Sequence, residues 1–161
     1  MQRLCNPAQF KAVLDAGTVA RTAHFALHRL SLPLASASGD AAGPEIQALF
    51  VVRSLKTASI AAPASTTSPA VPNPNWLGAV VPKRWAKRAV TRNAIKRQIY
   101  SVTHAQAPRH PHAAYVVRLR TGFVTALFPS AQSDALKALV RAELQQLWAA
   151  AAIASRPQGV A

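Results

Sequence analysis

The chain has 161 residues, enough for one domain, and its 19 basic residues against 5 acidic residues give it a formal net charge of +14. Its single cysteine, Cys5, excludes an internal disulfide and favours a reducing compartment. The N-terminus has no apolar signal region, and the apolar stretch 147–154 is too short to span a bilayer. We therefore expect a cytoplasmic protein with no membrane partner.

The first predicted element is a helix that begins at Asn6-Pro7. Asparagine caps a helix well, and proline fits the first helical position. Gly17 is placed to end this helix in a left-handed turn. The apolar face at helical spacing is formed by Phe10, Val13 and Leu14.

Strand patterns follow this helix. Residues 18–22 can form a short extended segment, and residues 23–32 alternate as a strand. The two faces of this strand are Phe25 with Leu27, and Ala26 with His28 and Leu30. A low-complexity insertion is predicted over about 33–75, within which residues 46–52 are apolar enough for a further strand.

The second half of the chain predicts the order strand, helix, strand, helix. Residues 76–81 form a buried-type strand that Pro82 ends, and a basic helix follows to about Ala105. Residues 114–120 alternate as a strand, and Ser133-Asp134 caps the last helix. The apolar stripe of that helix is Leu136, Leu139, Val140, Leu144, Leu147 and Trp148. This order predicts a sandwich with one sheet, followed by a disordered tail over 149–161.

The basic helix is the most informative segment of the sequence. Seven of the fifteen residues from Lys83 to Arg97 are Lys or Arg, and no Asp or Glu occurs from Ile46 to Ser133. A basic cluster without neighbouring carboxylates needs an external anion, and the commonest extended anion is a phosphate backbone. Nucleic acid is therefore the first functional hypothesis.

Helical spacing predicts rows of donors beside a buried stripe of Ile95, Ile99 and Val102. One ridge is Arg88, Arg92 and Lys96; the second is Asn93 and Arg97. The strand-to-helix junction adds Lys83, Arg84 and Lys87, where backbone amides also favour anions. Two alternatives are a solvated helix face and a membrane-surface helix. The lack of Glu disfavours the first, and the lack of an aromatic-rich apolar face disfavours the second.

Other chemistry has less support in the sequence. His110-Pro111-His112 has no nearby carboxylate, which favours a solvated loop over a metal site. Cys5 has no identifiable partner histidine, so we expect an incidental thiol. No Gly-rich nucleotide fingerprint occurs, and five acids do not support a protein-based two-metal nuclease.

The segment Arg92-Asn93-Ala94-Ile95-Lys96-Arg97 resembles the signature helix of the bacterial ribonuclease P protein component. That family carries Arg-Asn-Arg and then a Lys-Arg pair, after a strand that ends in two basic residues, here Lys83-Arg84. The resemblance covers roughly residues 3–32 and 76–148. The chain departs from the family pattern at Ala94 and Tyr100, where Arg is common, and at His28, where Tyr is frequent.

The resemblance implies a fold and an activity. The expected fold is α+β, a single-domain αβββαβα sandwich over residues 1–148, with one mixed sheet packed by helices and a left-handed βαβ crossover. The implied function is that of the protein subunit of ribonuclease P, which removes the 5′ leader from precursor tRNA. The implied partners are the catalytic RNA subunit and precursor tRNA. Because the RNA performs the hydrolysis with Mg²⁺ bound mainly by the RNA components, we expect no catalytic or metal-ligating residue in this chain.

The resemblance also implies two RNA-contacting regions. The leader cleft lies between the sheet and the first helix, and its candidate residues are Phe10, Phe25, His28 and Arg120. The candidate RNA-binding residues of the basic segment are Lys83, Arg84, Lys87, Arg88, Arg92, Asn93, Lys96 and Arg97. The alternative from the residues alone is a non-catalytic RNA- or ribosome-binding module. A helix-turn-helix DNA binder is disfavoured because the basic helix follows a strand.

Overall fold

One mixed sheet with helices on both faces forms the body of the protein. The computed structural model describes residues 1–32, 49–50, 75–106, 113–123 and 133–154. The main elements are β1 (Gln2–Arg3), α1 (Pro7–Asp15), β2 (Thr18–Arg21), β3 (Phe25–Ser31), β4 (Trp76–Val80), α2 (Ala89–Gln106), β5 (Ala113–Leu119) and α3 (Asp134–Ala154). The strands lie in the order β1-β4-β5-β3-β2. This arrangement confirms the predicted α+β sandwich.

Strand β1 is an addition to the predicted αβββαβα order. It has only two residues and pairs in parallel with the start of β4, with Gln2 opposite Trp76. The β4–β5 pair is parallel, whereas β5–β3 and β3–β2 are antiparallel. Helix α2 connects the parallel neighbours β4 and β5, so these three elements form the predicted βαβ crossover. Its handedness stays a prediction.

Helix α1 begins and ends at the residues predicted from the sequence. Asn6 Oδ1 accepts a hydrogen bond from Ala8 N at 3.0 Å, and Gln9 Oε1 accepts one from Asn6 N at 3.2 Å, as part of a capping box. Gly17 has a φ of 105°, a left-handed conformation that glycine adopts without steric cost. The chain therefore turns directly from α1 into β2.

The sheet separates two apolar cores. Alternation along the strands sends Phe25, Leu27, Val117 and Leu119 to the face covered by α2 and α3. The same alternation sends Trp76, Ala114 and Val116 to the face covered by α1. Helix α2 buries the predicted stripe of Ile95, Ile99 and Val102 in the first core. The predicted face assignments of β3 are thus confirmed, and β5 alternates as its sequence pattern predicts.

Helix α2 begins later than its sequence pattern predicts. The amides of Trp85 and Ala86 both donate to the Pro82 carbonyl, at 3.1 and 3.2 Å, so the chain turns before the helix starts. Helical structure begins at Ala89, and Arg88 lies just before it. Arg88 is therefore part of the connection between β4 and α2 and not of a helical ridge.

Part of the predicted insertion belongs to the folded body. Leu49 and Phe50 are helical, so the strand predicted over 46–52 is wrong at these two positions. The Phe50 ring packs edge-on against Trp76 with centroids 5.6 Å apart, and Leu49 O accepts a hydrogen bond from Gln9 Nε2 at 2.9 Å. Asn75 O accepts one from the Gln2 amide at 2.7 Å. Residues 33–48 and 51–74 of the insertion lie outside the described residues.

Helix α3 continues past the boundary predicted for the tail. It runs to Ala154, and Ala151 is buried, so the disordered tail predicted from 149 is wrong up to that point; residues 155–161 lie outside the described part. Ser133 Oγ accepts from Leu136 N at 3.2 Å, which confirms the predicted cap. Leu139 is exposed and therefore does not belong to the apolar stripe predicted for this helix. Across the described ranges, no helix has the length and apolarity needed to cross a membrane.

Candidate nucleic-acid interface

A basic cleft opens on the α1 face of the sheet, next to the turn that follows α1. Its volume is about 320 Å³. Residues from β2, β3, the connection between β4 and α2, and the end of β5 form its walls. We call it the arginine cleft, and its lining residues are Thr18, Arg21, Ala26, His28, Arg84, Arg118 and Arg120.

Strand pairing assembles the arginine cleft. Ala26 of β3 lies opposite Arg118 of β5 on one side and opposite Arg21 of β2 on the other. Arg120 follows Arg118 by two residues, and Arg84 comes from the connection after β4. Because Ala26 has a small side chain, the middle of this arrangement stays open between the longer arginines. The cleft therefore combines a low floor with basic walls.

Positive charge dominates the arginine cleft. Four guanidinium groups line it, and among the residues that the structure describes no carboxylate does. Like charges held together without counter-ions repel one another, and an external anion relieves that repulsion. The planar guanidinium fork also matches the geometry of phosphate oxygens. The cleft is therefore suited to the backbone of a nucleic acid.

His28 provides a different polar group in the same cleft. It is 9% exposed, and its Nδ1 has no hydrogen-bond partner within the described part of the chain. Burial lowers the pKa of the His28 imidazole. The charges of Arg118 and Arg21 lower this pKa further, while the nearby backbone of Gly17 and Leu14 raises it. Because Nδ1 is buried, a neutral imidazole here offers a ligand only its other ring nitrogen, as a donor or an acceptor according to the tautomer.

A buried carboxylate from α3 fixes the rim of the arginine cleft. Glu143 Oε1 accepts from the His24 amide at 2.6 Å, and Glu143 Oε2 lies 2.8 Å from His24 Nδ1. The His24 ring stacks on Phe123 with centroids 4.3 Å apart. The His24 carbonyl in turn accepts from the Arg120 amide at 2.8 Å. This chain of contacts ties the backbone that carries Arg120 to the core.

The four residues predicted for the leader cleft do not all lie together. His28 and Arg120 both line the arginine cleft. Phe10 is half-buried against the α1-side core, where its ring occupies the space that a Cβ at Gly78 would need. The assignment of Phe25 is wrong. It is 0% exposed and faces α2 and α3, so its ring cannot stack on RNA.

Most of the predicted RNA-binding residues of the basic segment are accessible on the surface. Lys96 is half-buried and adjoins the exposed Arg97. The other exposed members of the set are Lys83, Arg84, Lys87, Arg88 and Asn93. We call this surface the α2 basic face. Arg84 belongs both to it and to the arginine cleft, so the two basic surfaces are adjacent.

Arg92 has a structural role that its spacing does not reveal. Its Nη1 donates to the Ala86 carbonyl at 3.0 Å and to the Lys87 carbonyl at 2.7 Å. These bonds satisfy two carbonyl groups of the connection that precedes α2. Nη1 is therefore engaged within the protein, and contact of Arg92 with RNA stays a prediction.

Comparison with known proteins decides the family. A family model described as Ribonuclease P matches residues 1–143. The chain belongs to the ribonuclease P family. The Ribonuclease P protein component of Burkholderia mallei is 37% identical over 71 residues, which are 44% of this chain and 52% of the relative. That of Bordetella parapertussis is 43% identical over 68 residues, which are 42% of this chain and 51% of the relative. The chain thus spans about half the length of the curated relatives it matches.

Solved ribonuclease P proteins share the fold. A Staphylococcus aureus RNase P protein is 16% identical with a TM-score of 0.52, and the match covers 91% of this chain and 92% of that one. An S. aureus RNase P protein mutant with defective mRNA degradation activity is 15% identical with a TM-score of 0.55. That match covers 94% of this chain and 88% of the mutant chain. At these identities the similarity supports the fold alone.

The described carboxylates of this ribonuclease P family member do not fit a magnesium site. Glu143 is engaged by His24, and Asp134 Oδ1 lies 3.0 Å from Lys137 Nζ. No group of three or more His, Cys, Asp or Glu side chains that could hold a metal occurs among the described residues. Mg²⁺ is usually held through carboxylates together with water and phosphate oxygens. Binding of Mg²⁺ mainly by RNA therefore stays a prediction.

Sequence reasoning missed four residues of the arginine cleft in this ribonuclease P family member, which are Thr18, Arg21, Ala26 and Arg118. Thr18, Arg21 and Arg118 come from strands whose pairing joins positions far apart in the chain. One signal was present for Arg118, because strand alternation places it on the same face as Val116. Nothing local marks Arg21, which looks like an ordinary edge-strand arginine.

Proposed function

We propose that this chain is the protein subunit of ribonuclease P and that the arginine cleft binds the single-stranded 5′ leader of precursor tRNA. The observation that carries the proposal is the convergence of four arginines and His28 on one open sheet face. As part of the same proposal, the chain acts in the cytoplasm. Its partners are precursor tRNA and the catalytic RNA subunit.

The arginine cleft suits a strand whose sequence varies. Guanidinium contacts to phosphate give affinity and fix the position of the strand without reading its bases. Thr18 and His28 add hydrogen-bonding groups beside these charges. An unpaired strand can follow the open sheet face, and proteins that contact RNA bases mostly bind unpaired segments. The cleft therefore favours single-stranded RNA of mixed sequence.

The α2 basic face is assigned to the catalytic RNA in this proposal. It presents Asn93 and Arg97 to solvent on a helix that is packed against the sheet and α3, with Lys87 exposed in the connection just before that helix. Arg141 of α3 donates to Gln98 Oε1 from its Nη2 at 3.2 Å, which ties the two helices together. One rigid body thus holds two RNA-binding surfaces in a fixed relation. Such positioning lowers the entropic cost of bringing the leader to the reacting centre.

The chemical step belongs to the RNA in this account. Mg²⁺ held by the RNA supplies the activation of water for phosphodiester hydrolysis. The residues of this chain bind and orient the leader. Reduction of its negative charge by the arginines also favours close approach of two RNA molecules.

The test compares RNAs that differ only in the leader. Affinity is measured for precursor tRNA and for mature tRNA, with the protein bound to the catalytic RNA. Arg118→Ala is expected to weaken precursor binding and to leave mature tRNA binding unchanged. For a leader bound as a single strand, each lost phosphate contact reduces the salt slope of log K by about 0.7.

Lys137→Ala is the charge-matched control, since Lys137 lies on α3 and pairs with Asp134 at 3.0 Å. It is expected to behave as the wild-type protein with both RNAs. If Arg118→Ala weakens both RNAs equally, the cleft binds RNA without regard to the leader. That outcome favours the non-catalytic RNA- or ribosome-binding alternative and contradicts the proposed leader site.

A further inference from the structure

An exposed tryptophan stands beside the arginine cleft. The chain has three tryptophans. Trp76 and Trp148 are 2% and 7% exposed and belong to the two cores, whereas Trp85 is 37% exposed. Single exposed apolar side chains are common on protein surfaces, so exposure alone assigns no role to Trp85. Its surroundings are more informative.

The neighbours of Trp85 belong to the arginine cleft. The guanidinium of Arg84, which lines the cleft, lies 5.3 Å from the centroid of the Trp85 ring. The indole and the cleft are therefore in contact through Arg84. A guanidinium near the face of an indole is attracted by the negative charge density of that face. Arg84 is thus placed to contact a phosphate while the indole beside it stays accessible.

The backbone that carries Trp85 is held on two sides. Its amide donates to the Pro82 carbonyl at 3.1 Å, within the turn that follows β4. Its carbonyl oxygen packs on Gly122, where an added Cβ would lie only 2.9 Å from that oxygen. The absence of a side chain at Gly122 therefore lets the connection before α2 lie against the segment that follows β5. The indole projects from a fixed point at the rim.

We propose that the Trp85 indole stacks on the base of an unpaired nucleotide whose phosphates lie in the arginine cleft. This inference rests on the proposed function and adds a base-contacting residue to it. Sites for single-stranded nucleic acid combine a basic groove with aromatic rings, because every base has a π face that can stack. Stacking tolerates any base, as a variable leader requires, and favours the bases that stack most strongly.

The first test uses the fluorescence of the unmodified protein. Trp85 is the accessible tryptophan, and a base stacked on its ring quenches its emission. A short single-stranded oligoadenylate is expected to quench the emission, whereas the same strand with abasic sites at every position is expected to quench it far less. Equal quenching of the wild-type protein by both strands would show that no base stacks on the indole.

The second test measures affinity for the same two strands with variants of Trp85. Trp85→Leu is expected to weaken binding of the oligoadenylate about 5- to 150-fold, the range of one lost base stack. It should leave binding of the abasic strand and the salt slope unchanged, because stacking releases no counterions. Trp85→Phe should retain most of the affinity. Circular dichroism of each variant checks folding.

The outcomes separate this inference from the proposed function. If Arg118→Ala weakens oligonucleotide binding while Trp85→Leu matches the wild-type protein with both strands, the cleft binds RNA and the stacking proposal is wrong. If Trp85→Leu reduces the affinity for the intact and abasic strands equally, the stacking proposal is also wrong. The indole would then act through the structure of the protein and not through a base. If neither variant changes binding, the proposed function fails together with the inference.

Discussion

Arg92 shows how a single contact changes the interpretation of a residue. Helical spacing groups it with Lys96 as a phosphate ligand, but its Nη1 donates to the carbonyl groups of Ala86 and Lys87. Those carbonyls belong to a connection that no periodic pattern describes. The sequence therefore indicates the charge of Arg92 and does not indicate where its donors are used.

This contact predicts a stability effect for Arg92→Ala. Hydrogen bonds from charged groups contribute about 1.5–3 kcal/mol when removal leaves a partner unsatisfied, and partial exposure of the connection places the expected loss near the lower end, about 1–2 kcal/mol. Urea denaturation measures the change. Arg97→Ala is the control, because Arg97 is exposed on the same helix. Equal midpoints for the two variants would contradict the structural role of Arg92.

His28 predicts a pH dependence of folding. Burial and the charges of Arg118 and Arg21 lower its pKa below the ordinary 6.5, with Arg84 and Arg120 lining the same cleft. Between the lowered pKa and 6.5 the unfolded chain binds more protons, so stability rises with pH through that window. The penalty for protonating His28 is fully present below the lowered pKa.

The measurement is the urea midpoint between about pH 5 and pH 7.5, the range in which histidine titrates. His28→Asn is expected to flatten the rise seen for the wild-type protein. The two proteins differ only at residue 28, so the difference between the two curves isolates His28. Parallel curves would show that His28 has the same proton affinity in the folded and unfolded chains.

At the scale of elements, local patterns predicted the helices and strands that have local causes. The cap at Asn6, the turn at Gly17 and the alternation of β3 and β5 are all present. Of the two failures, one is nonlocal and the other depends on a local turn. Strand β1 exists because it pairs with β4, and two residues carry no pattern of their own. The late start of α2 depends on the turn at the Pro82 carbonyl.

The site was predictable only in part, because strand pairing brings together residues that lie far apart in the chain. The basic segment is contiguous in sequence and was found directly. The arginine cleft joins β2, β3 and β5, and its composition follows from strand pairing. Phe25 could have been excluded earlier, because alternation alone places it on the face opposite to His28. Assigning both residues to one cleft contradicted the pattern of their own strand.

The predicted insertion yields a test at this scale. Phe50 is 6% exposed and packs on Trp76, so Phe50→Ala is expected to cost about 3 kcal/mol, the lower end for a buried phenylalanine. Deletion of residues 57–74 with a short Gly-Ser bridge is expected to leave stability nearly unchanged, because these residues include few bulky apolar side chains.

Thermal unfolding measures the stability of the Phe50→Ala variant and of the deletion variant against the wild-type protein. The deletion ends before Asn75, whose side chain accepts from the Ala113 amide at 3.2 Å and whose carbonyl accepts from Gln2 at 2.7 Å. A large loss of stability in the deletion variant would show that residues 57–74 pack on the body. An unchanged Phe50→Ala variant would show that the Phe50 contact contributes little.

At the scale of the whole molecule, charge and fold act together. A net charge of +14 attracts any polyanion, and attraction alone gives no preferred orientation. The sheet and α2 divide this charge between the arginine cleft and the α2 basic face, which meet at Arg84. In the proposed function these two adjacent surfaces bind two RNA segments at once. That division is what would distinguish a positioning subunit from a nonspecific basic protein.

The most direct measurement is reconstituted cleavage of precursor tRNA at low Mg²⁺. We expect that the protein alone does not cleave, that it stimulates the catalytic RNA, and that Arg118→Ala loses most of the stimulation while Lys137→Ala retains it. The protein must be free of contaminating nuclease, and both variants must be folded by circular dichroism. Cleavage by the protein alone, or full stimulation by Arg118→Ala, would contradict the proposed function.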